Sequence, residues 1–305
     1  MSLLNLATAV FHSQGTVLAA VAAKHGPIKR DELISVCAVP AEDGTDGDVA
    51  RLRAALARWR DLGLFADEQD AISLRVETRR GFTLDELTDR LPAVCRRLVL
   101  QEQHCLPLWG DGDNPTEKGV ALASDFARGL AWALAQDIYD LGESAAEIEA
   151  LERSQVTKPR TIFQNTGRWP GLRVWARYLG FATGNGGDFL YDPTEAVRGE
   201  LADIFQDGES MSAEAFLEEL SARLPVLDGG VYRREVEANL RPDTWRKPDQ
   251  GHLSMSLSMA LRRLELNGTI VLDRKADAGH VVSLTGRNYR TWASFTHVRL
   301  AGDQA

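Results

Sequence analysis

Residues 48–75 read DVARLRAALARWRDLGLFADEQDAISLR, and this stretch decides the fold. Its apolar residues recur at the spacing of one buried helix face. They are Leu52, Leu56 and Trp59. Gly63 then supplies a helix C-cap, because glycine tolerates a positive φ. A polar turn over 66–70 and the β-prone segment 72–74 follow. The pattern predicts a helix that leads into a two-stranded hairpin.

Two further helical segments precede this stretch, at 16–25 and at 30–39. The second is entered through Gly26 and Pro27, a dipeptide that breaks one helix before the next begins. Three helices followed by a two-stranded ribbon form a winged helix-turn-helix. The opening segment therefore looks like bacterial winged-helix domains.

The C-terminal part of the chain repeats this pattern. Leu261, Leu264 and Gly268 reproduce the intervals of Leu56, Trp59 and Gly63. The predicted wing runs from 267–272 through a tip at 273–279 to a returning strand at 280–284. Two segments supply the leading helices. They are 212–224 and 232–240.

The middle of the chain holds a weaker copy. Its apolar stripe ends at Gly180, and a glycine-rich turn at 184–187 leads to a predicted returning strand at 188–191. Residues 123–141 are the candidate first helix of this copy. The alternative stays open that any amphipathic helix followed by Leu-Gly and a hairpin would produce the same pattern.

The predicted fold class is therefore mainly α with small β-wings, as tandem winged helix-turn-helix domains joined by helices. We divide the chain into a first unit, a helical connector with a linker, a middle unit and a last unit. Their predicted ranges are 1–80, 81–120, 121–200 and 201–300.

Composition excludes several classes of protein. The 305 residues carry a net charge of -9, which excludes a protein that coats DNA with its whole surface. Three scattered cysteines argue against a disulfide framework and for a reducing compartment. No window is apolar over the length of a membrane span, so we expect a cytoplasmic protein without membrane contact.

Motifs for catalysis are missing from the sequence. The histidines and cysteines lack the spacing of zinc sites, and no phosphate-binding loop or nucleophile elbow is present. Carboxylates are abundant, but they fit solvated helix faces and are not paired for acid–base catalysis. We therefore expect a non-enzymatic protein without metal or cofactor.

Positive charge concentrates in one window, residues 153–187, which contains six basic residues and no Asp or Glu. In a winged helix this region holds the second and third helices, and the third enters the major groove. The guanidinium group binds phosphates and guanine edges bidentately. The candidate nucleic-acid-binding residues here are Lys158, Arg160, Arg168, Arg173 and Arg177. The alternative is a basic helix face that pairs with acidic neighbours.

The outer units offer further candidates. Arg51, Arg53 and Arg58 lie on the third helix of the first unit, and Arg51 and Arg58 are seven residues apart, which places them on one side. Arg274 and Lys275 lie at the predicted wing tip of the last unit, where wings contact phosphates.

The segment MSLLNLATAV…AAVAAKHGPIKRDELISVC…LRAALARWRDLGLF…ISLR resembles the DpdG-type accessory proteins of bacterial phage-defence and 7-deazaguanine DNA-modification islands. The resemblance covers the first 75 residues best. It implies a cytoplasmic accessory subunit that works on DNA beside nucleases, helicases or modification enzymes.

Two functions remain in competition at this stage. The first is a DNA-binding accessory subunit that contacts double-stranded DNA. The second is an acidic winged-helix scaffold that binds other subunits of a DNA-associated ATPase or nuclease complex. Homodimerisation is left open in both.

Overall fold

The computed structural model describes most of the chain, and the fold below refers to those residues. They are 3–4, 12–39, 47–75, 83–110, 121–142, 144–157, 160–163, 167–206, 210–275 and 280–302. These residues are mainly helical with small antiparallel sheets of two or three strands, which confirms the broad fold class. The predicted linker, residues 111–115, lies outside them.

The first unit contains the three predicted helices and the predicted hairpin, and a short strand that was not predicted adds a third strand to the sheet. The elements are α1 His12–His25, β1 Ile28–Lys29, α2 Arg30–Cys37, α3 Gly47–Asp61, β2 Phe65–Glu68 and β3 Ala71–Leu74. The sheet order is β1-β3-β2, with Phe65 opposite Leu74 and Ile28 opposite Ile72. Strand β1 thus ties the start of α2 to the hairpin.

The connector and the middle unit are helical. Their helices are α4 Leu84–Val99, α5 Glu102–Cys105, α6 Ser124–Leu134, α7 Ala145–Gln155 and α8 Arg168–Tyr178. The helix predicted over 123–141 ends earlier, at Leu134. The returning strand predicted at 188–191 is also wrong. A 3-10 turn at Gly186–Asp188 and a single bridge between Thr183 and Leu190 take its place.

The last part of the chain combines four helices with five short strands. The elements are α9 Thr194–Ile204, β4 Met211–Ser212, α10 Ala213–Arg223, α11 Val231–Glu237, α12 Met255–Leu266, β5 Ile270–Asp273, β6 Val282–Thr285, β7 Thr291–Phe295 and β8 His297–Leu300. Helix α9 packs on both α10 and α12. The predicted boundary at residue 200 therefore falls inside a helix that contacts the last unit.

The strand pairing predicted for the wing of the last unit is wrong. Strand β5 pairs with β8, and the predicted returning strand, now β6, pairs with β7 instead. The physical reason is that β8 bonds on both edges, to β4 on one side and to β5 on the other. Ala213 and Asp273 both bond to the backbone of Thr296 at the start of β8. The hairpin β6–β7 therefore lies between β5 and β8 in the chain and forms a separate sheet.

The same helix-ending turn occurs three times, as the repeated spacing predicts. After α3, α8 and α12, a glycine with positive φ is followed by a residue whose N–H donates to the carbonyl five residues back. The three bonds are Leu64 to Trp59, Phe181 to Ala176 and Thr269 to Leu264, each 2.8 Å long. The glycine φ values are 89° at Gly63, 84° at Gly180 and 67° at Gly268. This is the Schellman geometry, for which glycine has no steric penalty.

The predicted units pack closely against one another. Buried apolar side chains of the first, middle and last parts belong to one connected core. The ring of Trp59 on α3 lies 5.6 Å from that of Trp175 on α8, and His12 stacks on Tyr178 at 4.4 Å. These contacts decide which helix faces remain open to a partner.

Candidate nucleic-acid interface

The N-terminal half of α3 presents an exposed face in the first unit. Arg51 and Arg53 are both exposed there. The other exposed side chains of this face are small. They are Ala50 and Ala54, which lie between the two arginines around the helix, and Ala57 continues their line into the C-terminal half. Arg51 has no ion-pair partner within the described ranges, and Arg53 lies 3.7 Å from the exposed carboxylate of Asp31. Exposed pairs of this kind contribute little free energy, so Arg53 stays available to a phosphate.

Arg58 requires a correction. The seven-residue spacing placed it beside Arg51, but its side chain is only 7 % exposed. The C-terminal half of α3, to which Arg58 belongs, packs on the middle unit through Trp59 and Trp175. Burial lowers the pKa of Arg58, while the carboxylates of Asp61 and Asp125 act in the opposite direction. Arg58 is therefore part of the protein interior and does not belong to a surface binding site.

Arg168 requires the same correction. It is 5 % exposed, and its Nη1 donates to Oδ2 of Asp125 at 2.8 Å. Asp125, on α6, is itself buried and also accepts the N–H of Phe126 at 2.9 Å. The first turn of α8 packs onto α6, so the arginine that sequence assigned to DNA neutralises a buried carboxylate instead.

Three other members of the basic window lie at or near the surface. Arg160 is exposed and lies 5.1 Å from the ring centre of Trp109, which also contacts the buried Arg128. Arg173 is half-buried, donates to the carbonyl of Gly186 at 2.7 Å and covers the ring of Phe189. The remaining exposed arginine, Arg177, has no ion pair within the described part of the chain.

Lys158, the other candidate of this window, lies outside the described residues. The structure therefore does not bring the candidates of the basic window together as one exposed surface. Of the described candidates in this window, only Arg160 and Arg177 are exposed without an ion pair, and Arg160 precedes α8 whereas Arg177 lies in its last turn.

The stability of the folded protein should depend on pH through His12, which stacks on Tyr178. Burial lowers the pKa of His12, and the nearby charge of Arg177 lowers it further. The unfolded chain therefore binds this proton more tightly than the folded protein does. The folded protein is therefore most stable, as far as His12 is concerned, above the ordinary histidine pKa of about 6.5. Its free energy of unfolding decreases as the pH falls below that value.

We expect His12→Phe to keep the ring stack and to abolish this dependence. Urea unfolding at about pH 7.5 and about pH 5.5 measures it. The wild type should lose more stability over this interval than the variant does. Other titrating groups, including His104, are common to both proteins and cancel in the comparison. Equal losses in the two proteins would exclude His12 as the responsible group.

Arg274 and Lys275 are exposed, as sequence predicted, but their location differs. They follow the end of β5, and the backbone N–H of Lys275 donates to the hydroxyl of Thr296 at 2.9 Å. Because β5 pairs with β8, these residues are not the tip of a hairpin with β6. They stand where the chain leaves the three-stranded sheet for the inserted hairpin.

The three helices that precede the glycine turns differ in exposure. In α12, residues 255–261 are all buried, because α9, α6 and the β6–β7 hairpin cover them. In α8, the exposed positions are limited to Pro170 and Arg177. Helix α3 alone of these three presents an open N-terminal half with two arginines. Of these three helices, α3 is therefore the one whose N-terminal half is open to a partner.

Comparison with protein families gives one match. The family model described as DpdG-like aligns with residues 1–278 of the 305 in the chain. The chain belongs to the DpdG-like family. The resemblance inferred from the opening segment is thus confirmed, and the match extends well beyond it. No curated protein and no solved structure matches the chain.

Membership of the DpdG-like family indicates a role in the Dpd DNA-modification system. Within the described ranges of this DpdG-like chain, no helix combines the length and the apolar character that a bilayer span requires. No group of three or more His, Cys, Asp or Glu side chains is placed to hold a metal ion in that same part. Cys95 and Cys105 are buried, which raises their thiol pKa values to about 12.

The sequence predictions missed one charged and aromatic surface of this DpdG-like protein. It lies on the hairpin β6–β7 and contains Arg287, Tyr289, Arg290 and Trp292. The signal was present in the sequence. Residues 278–302 contain three arginines and no Asp or Glu, which makes them another acid-free window in an acidic chain.

Proposed function

We propose that this protein is a non-enzymatic, cytoplasmic accessory subunit of a Dpd DNA-modification system and that it binds double-stranded DNA. Family membership supports the role in that system. The observation that carries DNA contact is the open N-terminal half of α3, with Arg51 and Arg53 among exposed alanines.

The arrangement of elements supports winged-helix units as the framework. The first unit follows the order helix, strand, two helices, hairpin, and its sheet order is β1-β3-β2. The last unit has the same sheet order, β4-β8-β5, when α9 is taken as its first helix and α11 as an insertion. We therefore place the start of the last unit at Thr194. The middle unit is a reduced copy with a single bridge as its wing.

The chemistry of the α3 face fits a duplex. Alanine side chains let a helix approach the sugar-phosphate backbone closely, and two arginines supply bidentate donors for phosphate oxygens or guanine edges. Third helices of winged-helix folds enter the major groove with their N-terminal residues. Because the whole chain carries -9, this contact is focused on one small surface.

We expect Arg51→Ala/Arg53→Ala to weaken duplex binding about tenfold at low salt. The slope of log affinity against log salt should also fall by up to about 2, since two phosphate contacts are removed. Fluorescence anisotropy with a labelled duplex at about 50 and 200 mM salt measures both quantities.

The matched control is Arg198→Ala/Arg234→Ala, which removes the same charge from exposed positions on α9 and α11. If the control weakens binding as much as the α3 variant, the loss reflects net charge and not this surface. If the wild type binds no duplex even at low salt, direct DNA contact is wrong.

A scaffold function is the second candidate, and the burial of α8 and α12 favours it. Winged-helix units whose third helices are covered by neighbouring elements have no groove-reading face, so their exposed surfaces remain for protein contacts. Absence of duplex binding in the experiment above would make this scaffold function the preferred one, with other subunits of the system as partners.

A further inference from the structure

The inserted hairpin β6–β7 is held rigidly against the segment that precedes α12. Ser283 accepts the N–H of Leu253 at 3.0 Å and donates its own N–H to Gly251 at 2.8 Å. His252 contacts the hydroxyl of Thr291 at 3.0 Å, which fixes the opposite strand. The hairpin is therefore a preorganised surface and not a loose excursion of the wing.

Trp292 is displaced outward by an irregularity in the strand pairing. Leu284 lies opposite Ala293, whereas Thr285 lies opposite Thr291, so Trp292 is the extra residue of a β-bulge. Bulges re-aim side chains and are enriched at functional sites. The result is an indole that is 42 % exposed, in a chain whose other large aromatic rings are mostly buried.

The indole of Trp292 lies against a glycine in the tip of the hairpin. A Cβ atom at Gly286 would come within 1.8 Å of the indole Nε1, so only glycine allows this placement. The N–H of Gly286 donates to the carbonyl of Arg290 at 2.7 Å and closes the tip. One part of the indole is thus supported by backbone, and the exposed part is available for stacking.

The tip itself adopts a costly backbone conformation. Asn288 and Tyr289 both have a φ of 59°, a left-handed region that is uncommon for a bulky residue such as tyrosine. Arg246 covers the Tyr289 ring at 3.9 Å, and Arg287 lies 4.0 Å from Asp140 in an exposed pair. These contacts hold the tip in place, while Arg290 remains exposed and without an ion pair among the described residues.

We propose that Trp292 and Arg290 form a binding site for an unpaired nucleotide of a DNA strand. This inference rests on the proposed DNA-binding function and deepens it. Aromatic side chains stack on bases of any sequence, and a neighbouring cation holds the phosphate. Inside a duplex the base faces are stacked on each other, so an exposed indole at this position selects a base that is out of the stack.

The charges nearby favour a nucleic acid over a protein segment as the occupant. The 278–302 segment contains no acidic residue, and Arg290 has no ion pair among the described residues, whereas the carboxylate of Asp140 lies beside Arg287. Arg290, two residues before Trp292, is the exposed cation nearest to it in the chain, and the exposed Arg274 and Lys275 add positive charge where the chain enters the hairpin.

The test compares two strands that carry the same phosphates. One is a single strand of about 12 thymidines, within the range of known site sizes, and the other is a strand of equal length made of abasic sites. Anisotropy is measured with wild type, Trp292→Ala, Trp292→Phe and Arg290→Ala, and with a labelled duplex in parallel. Arg198→Ala is the matched control, an exposed arginine on α9.

We expect Trp292→Ala to weaken binding of the thymidine strand about tenfold and to leave binding of the abasic strand unchanged. Trp292→Phe should recover part of the loss, because a phenyl ring still stacks. Arg290→Ala should weaken both strands, and Arg198→Ala should weaken neither.

Two outcomes overturn the inference without touching the duplex proposal. In one, the duplex binds and the thymidine strand binds no better than the abasic strand. In the other, Trp292→Ala affects both strands equally. If neither the duplex nor the single strand binds to the wild type, the proposed DNA-binding function itself fails, and this site fails with it.

Discussion

Replacing Arg168 by alanine should lower the free energy of unfolding by about 3–5 kcal/mol. The guanidinium and the carboxylate of Asp125 form an ion pair of 2.8 Å in which both side chains are almost fully buried. Removal of the arginine breaks a buried, hydrogen-bonded ion pair, which is the costly case, although the charges of Arg58 and Arg128 still act on the carboxylate of Asp125. Urea unfolding at neutral pH measures the loss.

The control for this prediction lies on the same helix. Arg177 is exposed, so Arg177→Ala should change stability by no more than about 0.5 kcal/mol. The double variant Asp125→Ala/Arg168→Ala should regain part of the loss, because it removes both charges. A loss below about 1 kcal/mol in Arg168→Ala would mean that Asp125 finds another partner or takes up a proton.

This prediction also decides how DNA contact in the basic window can be tested. A variant that removes Arg168 together with Arg177 would unfold in part and would lose binding for that reason alone. Arg177→Ala and Arg160→Ala keep the interior intact, so they report on surface charge.

Local features of the fold were predictable from sequence because their causes are local. The turn after α3, α8 and α12 depends on a glycine and on a hydrogen bond that spans five residues. Gly63, Gly180 and Gly268 therefore identify their helix ends correctly. The helices of the first unit were predictable for the same reason, since their apolar spacing is written within each segment.

Long-range features were not predictable from one sequence. The segments 280–284 and 297–300 are both β-prone, and only the three-dimensional position of β4 decides that β5 pairs with the more distant one. Arg168 looked like a surface cation because its partner, Asp125, lies 43 residues earlier. Charge density along the chain shows where cations are, but not which of them the fold buries.

Trp175→Ala is the second substitution with a large expected effect, about 3–5 kcal/mol of unfolding free energy. Trp175 is 3 % exposed on α8, and its ring contacts Trp59 of α3 at 5.6 Å and His12 of α1 at 6.3 Å. The cavity would therefore open between the middle unit and the first. The loss should appear in urea unfolding, with Trp292→Ala as an exposed-tryptophan control that loses less than about 1 kcal/mol.

The position of this cavity, between two units, allows a test of whether those units unfold together. If the first and middle units are one cooperative structure, amide hydrogen exchange in α1 and α3 should accelerate together with that in α8. Acceleration confined to α8 would mean that the first unit holds its own fold and that the tryptophan contact is incidental. The distinction matters for function, because the C-terminal half of α3 packs on α8 while its N-terminal half carries Arg51 and Arg53. A cooperative junction would fix the direction in which α3 presents those arginines, and the proposed DNA surface would then depend on a residue that never touches DNA.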